Sequence, residues 1–338
     1  MRKRFFLPDA ATKQEFGCLL FAFAPVGVLL TAIVVFELGG FGLSTIPGKL
    51  AHQVSAFDRS IVMELSELRA RTVWLTAVIV YYAIAVAVMI VSIHTIRLNL
   101  SRQCFRYFAA IIGLLGILSV AYFVFGALRE NGVTAIFRLT YGVLEASGYF
   151  SPLQLGVILG LVSVVNLIAT VVPFAIILAG SSSMAPFEEL PPDEVLHFIE
   201  ARFSHLKNAV NLGSAMLLIG VLHMLAWLRW PVVFLGQGKL TEEFVNWSLT
   251  LSMYWGAVFS LMVIALYIPC TLALYARAKR EFNRNFPTSE HQELWSYLQT
   301  FGISREPMRQ LPQVIAMLAP FIGGSLGASL ANLGGVSG

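Results

Sequence analysis

The stretch that decides the fold is VWLTAVIVYYAIAVAVMIVSIHTI, residues 73–96. It contains no Lys, Arg, Asp or Glu, and a helix needs about 20 mostly apolar residues to cross a bilayer. Five further stretches of the same kind lie at 17–38, 107–128, 153–180, 209–228 and 249–276. Their only carboxylate is Glu37, one residue from the end of the first. No segment alternates with period two over several strands, which argues against a β-barrel. No internal repeat or low-complexity tract is visible. The expected fold is an all-α polytopic membrane bundle of six transmembrane helices, with a possible seventh apolar element at 311–333.

Composition agrees. The chain has 338 residues, of which 57% are hydrophobic and 12% charged, and its mean hydropathy is +0.75. Soluble domains carry about 25% charged residues, so too few charges exist here to cover a water-facing surface. The net charge of +4 reads as basic anchoring beside a bilayer rather than as nucleic-acid binding. Cys18, Cys104 and Cys270 are far apart in the chain and form no CxxC or Cys-His pattern, which speaks against a zinc site or a disulfide framework. The basic start MRKRFF resembles a signal peptide, but the apolar run after it reaches Leu38 without a small-x-small cleavage pattern. It is read as a retained first helix.

With the N-terminus inside, nearly twice as many of the 23 Lys and Arg fall on the inner side as on the outer. That pattern places both ends of the six-helix unit in the cytoplasm, in the plasma (inner) membrane. The organisation expected is a tail at 1–16, a transmembrane domain at 17–276, a cytoplasmic helical segment at 277–310 and an apolar Gly/Ala-rich segment at 311–338. Residues 49–72 read as an amphipathic extension, with Leu50, Val54, Phe57, Ile61, Leu65 and Leu68 on one face and Glu67 off it. Without an intervening Pro or Gly, one rod of about 70 Å is expected over 50–96. Pro191-Pro192-Asp193 is a helix-start signal whose helix merges into the fifth span. Pro269 should kink the sixth, and Ser289-x-x-Gln292 reads as a capping box.

Candidate chemistry is sparse. No span contains an Asp, and no HExxH or Walker A string occurs. Ser214 and His223 share one helix but sit nine residues apart, on opposite faces at about 100° per residue. His223 and Asn166 read as polar intramembrane groups that bond between helices, and His94 lies at a span boundary. Glu188, Glu189, Asp193, Glu194 and Glu200 form an acidic cluster read as a solvated face. Neither a metal nor a cofactor is expected, and the chain is read as non-enzymatic.

Gly156-x-x-x-Gly160 is a helix-packing signal within the bundle. From Gln310 to Gly338 no charge occurs, and Gly324, Gly327, Ala328 and Ala331 share one helical face. That face is a candidate pore or oligomer contact. The string GGSLGASLANLGG, residues 323–335, resembles the Gly/Ala-rich pore helix of small-conductance mechanosensitive channels. That family continues into a soluble β-rich domain, which this sequence does not show, so the chain is not assigned to it. The segment is a seventh span, a re-entrant hairpin broken at Pro320, or a tail that inserts into a partner. The leading functional expectation is an oligomeric channel or pore with Pro269 as a hinge. The alternative is a scaffold or anchoring subunit of a larger complex. The expected partners are the lipid bilayer and a second copy or another membrane protein.

Overall fold

The computed structural model describes residues 15–40, 43–54, 60–129, 132–186, 192–236, 238–285 and 312–324. Among them every regular element is helical. A short 3-10 turn at Gly17–Leu19 leads into α1, Leu20–Gly39; α2 covers Ile46–Ala51 and α3 Ile61–Asn99. Then follow α4, Arg102–Arg129; α5, Gly132–Ala146; α6, Pro152–Ser182; and α7, Pro192–Arg229. A 3-10 turn at Trp230–Phe234 precedes α8, Lys239–Asn285, and α9 is the short apolar helix Pro312–Gly324.

Five segments are long and apolar enough to cross a membrane: Gly17–Gly39, Ile61–Asn99, Pro152–Ser182, His197–Phe234 and Lys239–Arg284. They fit a multi-pass integral membrane protein. The expected third span is also helical, as α4, although several side chains near its end lie outside the described residues. Successive long helices alternate in direction. Cys18, Asn99, Cys104, Ser182, Arg202 and Arg277 gather at one end, here the Arg end. Glu37, Glu67, Gly132, Phe150 and Trp230 gather at the other, the Trp end. Helices α7 and α8 make the most extensive contact, α3 and α6 pack beside α7, and α1 flanks α8.

Local chemistry sets the helix starts. Ser151 caps α6 by accepting from Gln154 N at 3.3 Å, and Gln154 Oε1 accepts from Ser151 N at 2.8 Å. Pro152 occupies the first turn, where its missing N–H costs nothing. The Pro-Pro-Asp signal does open α7 at Pro192. Pro25, Pro173 and Pro269 sit inside α1, α6 and α8 without ending them.

The single rod over 50–96 does not form. Ser60 is extended, with φ −76° and ψ 149°, and its hydroxyl accepts from Met63 N, so α3 begins at Ile61. The apolar face of that stretch divides: Leu50 is buried, but the positions within α3 turn outward. Ile61 and Leu65 are 73% and 61% exposed, whereas Glu67 is fully buried. An apolar stripe turned outward is tolerated where the surroundings are apolar, while Glu67 finds polar partners within.

Helix α5 was not expected. At 15 residues it is too short to span, and it packs on α2, on the end of α7 and on the Trp230–Phe234 turn. Its buried positions Ile136, Leu139, Thr140, Val143 and Leu144 follow helical spacing. Glu37 holds its start: the carboxylate accepts from Gly132 N at 2.8 Å and Val133 N at 3.1 Å, where a helix favours negative charge. A Cβ at Gly132 would lie 3.1 Å from that carboxylate. Glu37→Ala should therefore loosen α5 and cost about 1 kcal/mol, read as faster hydrogen exchange at Gly132–Ala146. Unchanged exchange there would refute the cap.

Candidate functional site

Polar side chains concentrate at the two ends of the bundle. At the Trp end, Trp74, Trp227 and Trp230 pack as one aromatic cluster, with ring centroids 5.1–6.0 Å apart. Trp74 Nε1 donates to His223 Nε2 at 3.0 Å, tying α3 to α7. Trp230 Nε1 donates to Glu67 Oε1 at 3.3 Å, and Arg71 lies 3.2 Å from Glu67 Oε2. Thr140 of α5 donates to the Trp227 carbonyl at 2.9 Å. The buried carboxylate thus has a cation and an indole N–H beside it, the company a buried charge needs.

The Arg end joins four helices and is the strongest candidate site. Arg202 Nη1 donates to the Ser182 carbonyl and Nη2 to the Asn99 carbonyl, both at 3.2 Å. These are the last residues of α6 and α3, where orphan carbonyls and the helix dipole favour a cation. The guanidinium also lies 4.5 Å from the Phe198 ring centroid. Arg277 of α8 donates to the Met184 carbonyl at 2.7 Å and to Ala185 at 3.2 Å. Asn99 Nδ2 donates to Ser182 Oγ at 3.0 Å, so Asn99 Oδ1 is the acceptor facing His205 Nδ1, also at 3.0 Å. Ser182 Oγ in turn donates to the Ala179 carbonyl.

Chemically this arrangement clamps rather than activates. A nucleophilic Ser needs a base that takes its proton, but the Ser182 proton is on a backbone carbonyl and His205 faces the Asn99 amide. Arg202 gives two of its donors to helix-end carbonyls, and Arg277 gives two to the turn that follows α6. Nearby, Cys18, Cys104 and Cys270 join one buried apolar cluster as free thiols, although the sequence holds them far apart. No group of three His, Cys, Asp or Glu positioned for a metal occurs among the described residues.

The residues singled out from sequence are dispersed. His223 is buried and bonded to Trp74. Ser214 is buried on the same helix and does not meet it. Asn166 is buried in α6, and its carbonyl accepts from Thr170. Gly156 and Gly160 take no part in packing among the described residues: both are exposed, and a Cβ at either would meet nothing within 4 Å. Pro269 lies in α8, half-buried, and the helix continues through it. Gly324 faces its own chain, since a Cβ there would stand 2.9 Å from the Ser252 carbonyl and 3.0 Å from Met253 Cα. The small side of α9 is therefore used against α8. Helix α9 also runs through Pro320 without a break, with Phe321 N–H given to Ser260 Oγ at 3.1 Å. Gly327, Ala328 and Ala331 lie outside the described residues, as do the acidic Glu188 and Glu189 and the capping box at Ser289 and Gln292.

Sequence reasoning missed Arg202, Asn99 and Glu67. In sequence Arg202 is one of the 23 Lys and Arg weighed for orientation, and Glu67 a polar position off an apolar stripe. Their signal was weak: Arg202 and Glu67 stand among other charged residues of the sequence, and Asn99 is a single polar residue at the end of its helix. Compared with known protein families, with curated proteins and with solved structures, the chain matches none.

Proposed function

We propose that this chain is a non-enzymatic, membrane-embedded scaffold or anchoring subunit. It crosses the membrane six times through α1, α3, α4, α6, α7 and α8, with the Arg end on the cytoplasmic side of the plasma (inner) membrane. The observation that carries this reading is how the buried polar side chains are used. Arg202, Asn99, His223 and Glu67, with the part-buried Arg277, each bond to another helix or to the turn that follows one, so they tie the helices of the bundle together. A transporter or intramembrane enzyme leaves such groups facing substrate. The alternating helix directions and the excess of Lys and Arg on the Arg-end side support the orientation.

An oligomeric channel is the second reading, favoured by the exposed Gly156 and Gly160 on the outer face of α6. Purification of the tagged chain in mild detergent, followed by size exclusion with light scattering, separates the two. A complex with another protein at fixed stoichiometry supports the scaffold. A homo-oligomer that conducts ions in reconstituted bilayers and is dispersed by Gly160→Leu supports the channel and ends the scaffold reading.

A further inference from the structure

At the Trp end, an open groove of about 390 Å³ runs between α1, α2 and α8, a volume within the range of small-molecule sites. Its floor is Gly39 and Gly40, the last turn of α1 and its cap. A Cβ at Gly39 would meet nothing within 4 Å, so the space above it is open. At Gly40 a Cβ would stand 2.9 Å from the Phe36 carbonyl, which makes the absent side chain a requirement of the local backbone. One wall is Trp247 and Tyr254 of α8, and the other is Ile46 of α2.

The lining side chains are mostly apolar, and none is charged. Tyr254 donates its hydroxyl to the Ala32 carbonyl at 2.7 Å. Glu37, beside Phe36, is turned to the start of α5. Phe36 packs against Tyr254 and Trp255 with centroids 5.7 and 5.6 Å away, which stiffens the wall. The residues of α1 beside the groove that point outward are apolar, with Leu38 66% and Val34 56% exposed. In a membrane-crossing helix such a surface meets hydrocarbon. Trp and Tyr are the residues enriched where hydrocarbon gives way to head groups.

We propose that this groove is a lipid site, in which one acyl chain of a bilayer phospholipid lies along α1 over Gly39 and against Trp247 and Tyr254. A methylene chain suits a narrow floor without side chains, and no lining residue is charged. The site stands apart from the Arg-end clamp and does not depend on the scaffold reading.

The full chain is reconstituted into vesicles of phosphatidylcholine carrying bromine on one acyl chain, which quenches nearby indoles. Subtracting the Trp247→Phe signal isolates Trp247. Strong quenching of Trp247 is expected, with one lipid per chain surviving detergent extraction in native mass spectrometry. Gly39→Phe places a ring in the groove from a position where a Cβ meets nothing within 4 Å, and should lose both the retained lipid and the excess quenching. Ile46→Trp narrows the groove from α2 and should do the same, and Gly39→Ser should behave as the parent. Lipid retention unchanged in both Gly39→Phe and Ile46→Trp overturns the proposal. So does a parent that dimerises by light scattering while Gly39→Phe is monomeric, since a second copy then fills the groove.

Discussion

Arg202→Ala should cost about 3 kcal/mol of stability, since hydrogen bonds from a charged donor contribute roughly 1.5–3 kcal/mol each and buried acceptors are left unpaired. The residue is 5% exposed, and its two donors bridge the ends of α3 and α6 from α7. Removing it frees the Ser182 and Asn99 carbonyls together and opens space beside Phe198. Arg202→Lys keeps the charge but not the fork that reaches two carbonyls, so it should recover only part of the loss. Arg277→Ala should cost less, because that side chain is only part-buried. Unfolding in mixed micelles with increasing denaturing detergent measures all three. An Arg202→Ala protein as stable as the parent would show that the clamp contributes nothing.

Gly256→Leu should expel α9 from the bundle while leaving the long helices folded. A Cβ at Gly256 would stand 2.5 Å from the Pro320 carbonyl and 3.2 Å from Phe321 Cα. The obstacle is backbone, which cannot rotate aside as a side chain can. Overpacking costs about 1–3 kcal/mol in a well-packed core. Gly323 and Gly324 approach Leu218 and Ser252 as closely, so the whole side of α9 depends on missing side chains. The check is maleimide labelling of Met317→Cys, a buried position of α9. The three native cysteines are buried and give little background. Labelling should be slow with Gly256 present and fast in Gly256→Leu; equal rates would mean that α9 is not held there.

Much of the helical plan was legible in the sequence, because long runs without charge have few other solutions. Residues 73–96 lie within α3 and 153–180 within α6. The Pro-Pro-Asp start of α7 was legible for a local reason, since proline fixes the chain before the helix. Helix α5 was also readable in principle from its repeat at 136, 139, 140, 143 and 144. It was hidden because a search for spans passes over amphipathic segments of 15 residues.

What failed was sidedness. Periodicity separates Leu65 from Glu67 but does not say which faces inward, and in a membrane protein the apolar side is free to face out. Gly156 and Gly160 illustrate the same limit, for small residues at that spacing suit an inner or an outer contact equally. The Arg-end cluster was out of reach for another reason. Arg202 acts on Asn99, which lies 103 positions away in sequence, and its targets there and at Ser182 are backbone carbonyls, which no residue type advertises.

The placement of the polar bonds also orders the birth of the molecule. Glu37 and the start of α5 are joined as soon as the chain has been made to Val133. The bridge between α3 and α6 must wait for Arg202, and the second hold on the end of α6 for Arg277. Until then α3 and α6 are held at that end by their packing and by the Asn99 amide on Ser182 Oγ, while each helix satisfies its own backbone. The Trp end therefore gains its first polar hold early and the Arg end is completed late: a chain halted before Arg202 has α1, α3, α4 and α6, with α3 and α6 joined at the Arg end by the Asn99–Ser182 bond and not yet by either arginine.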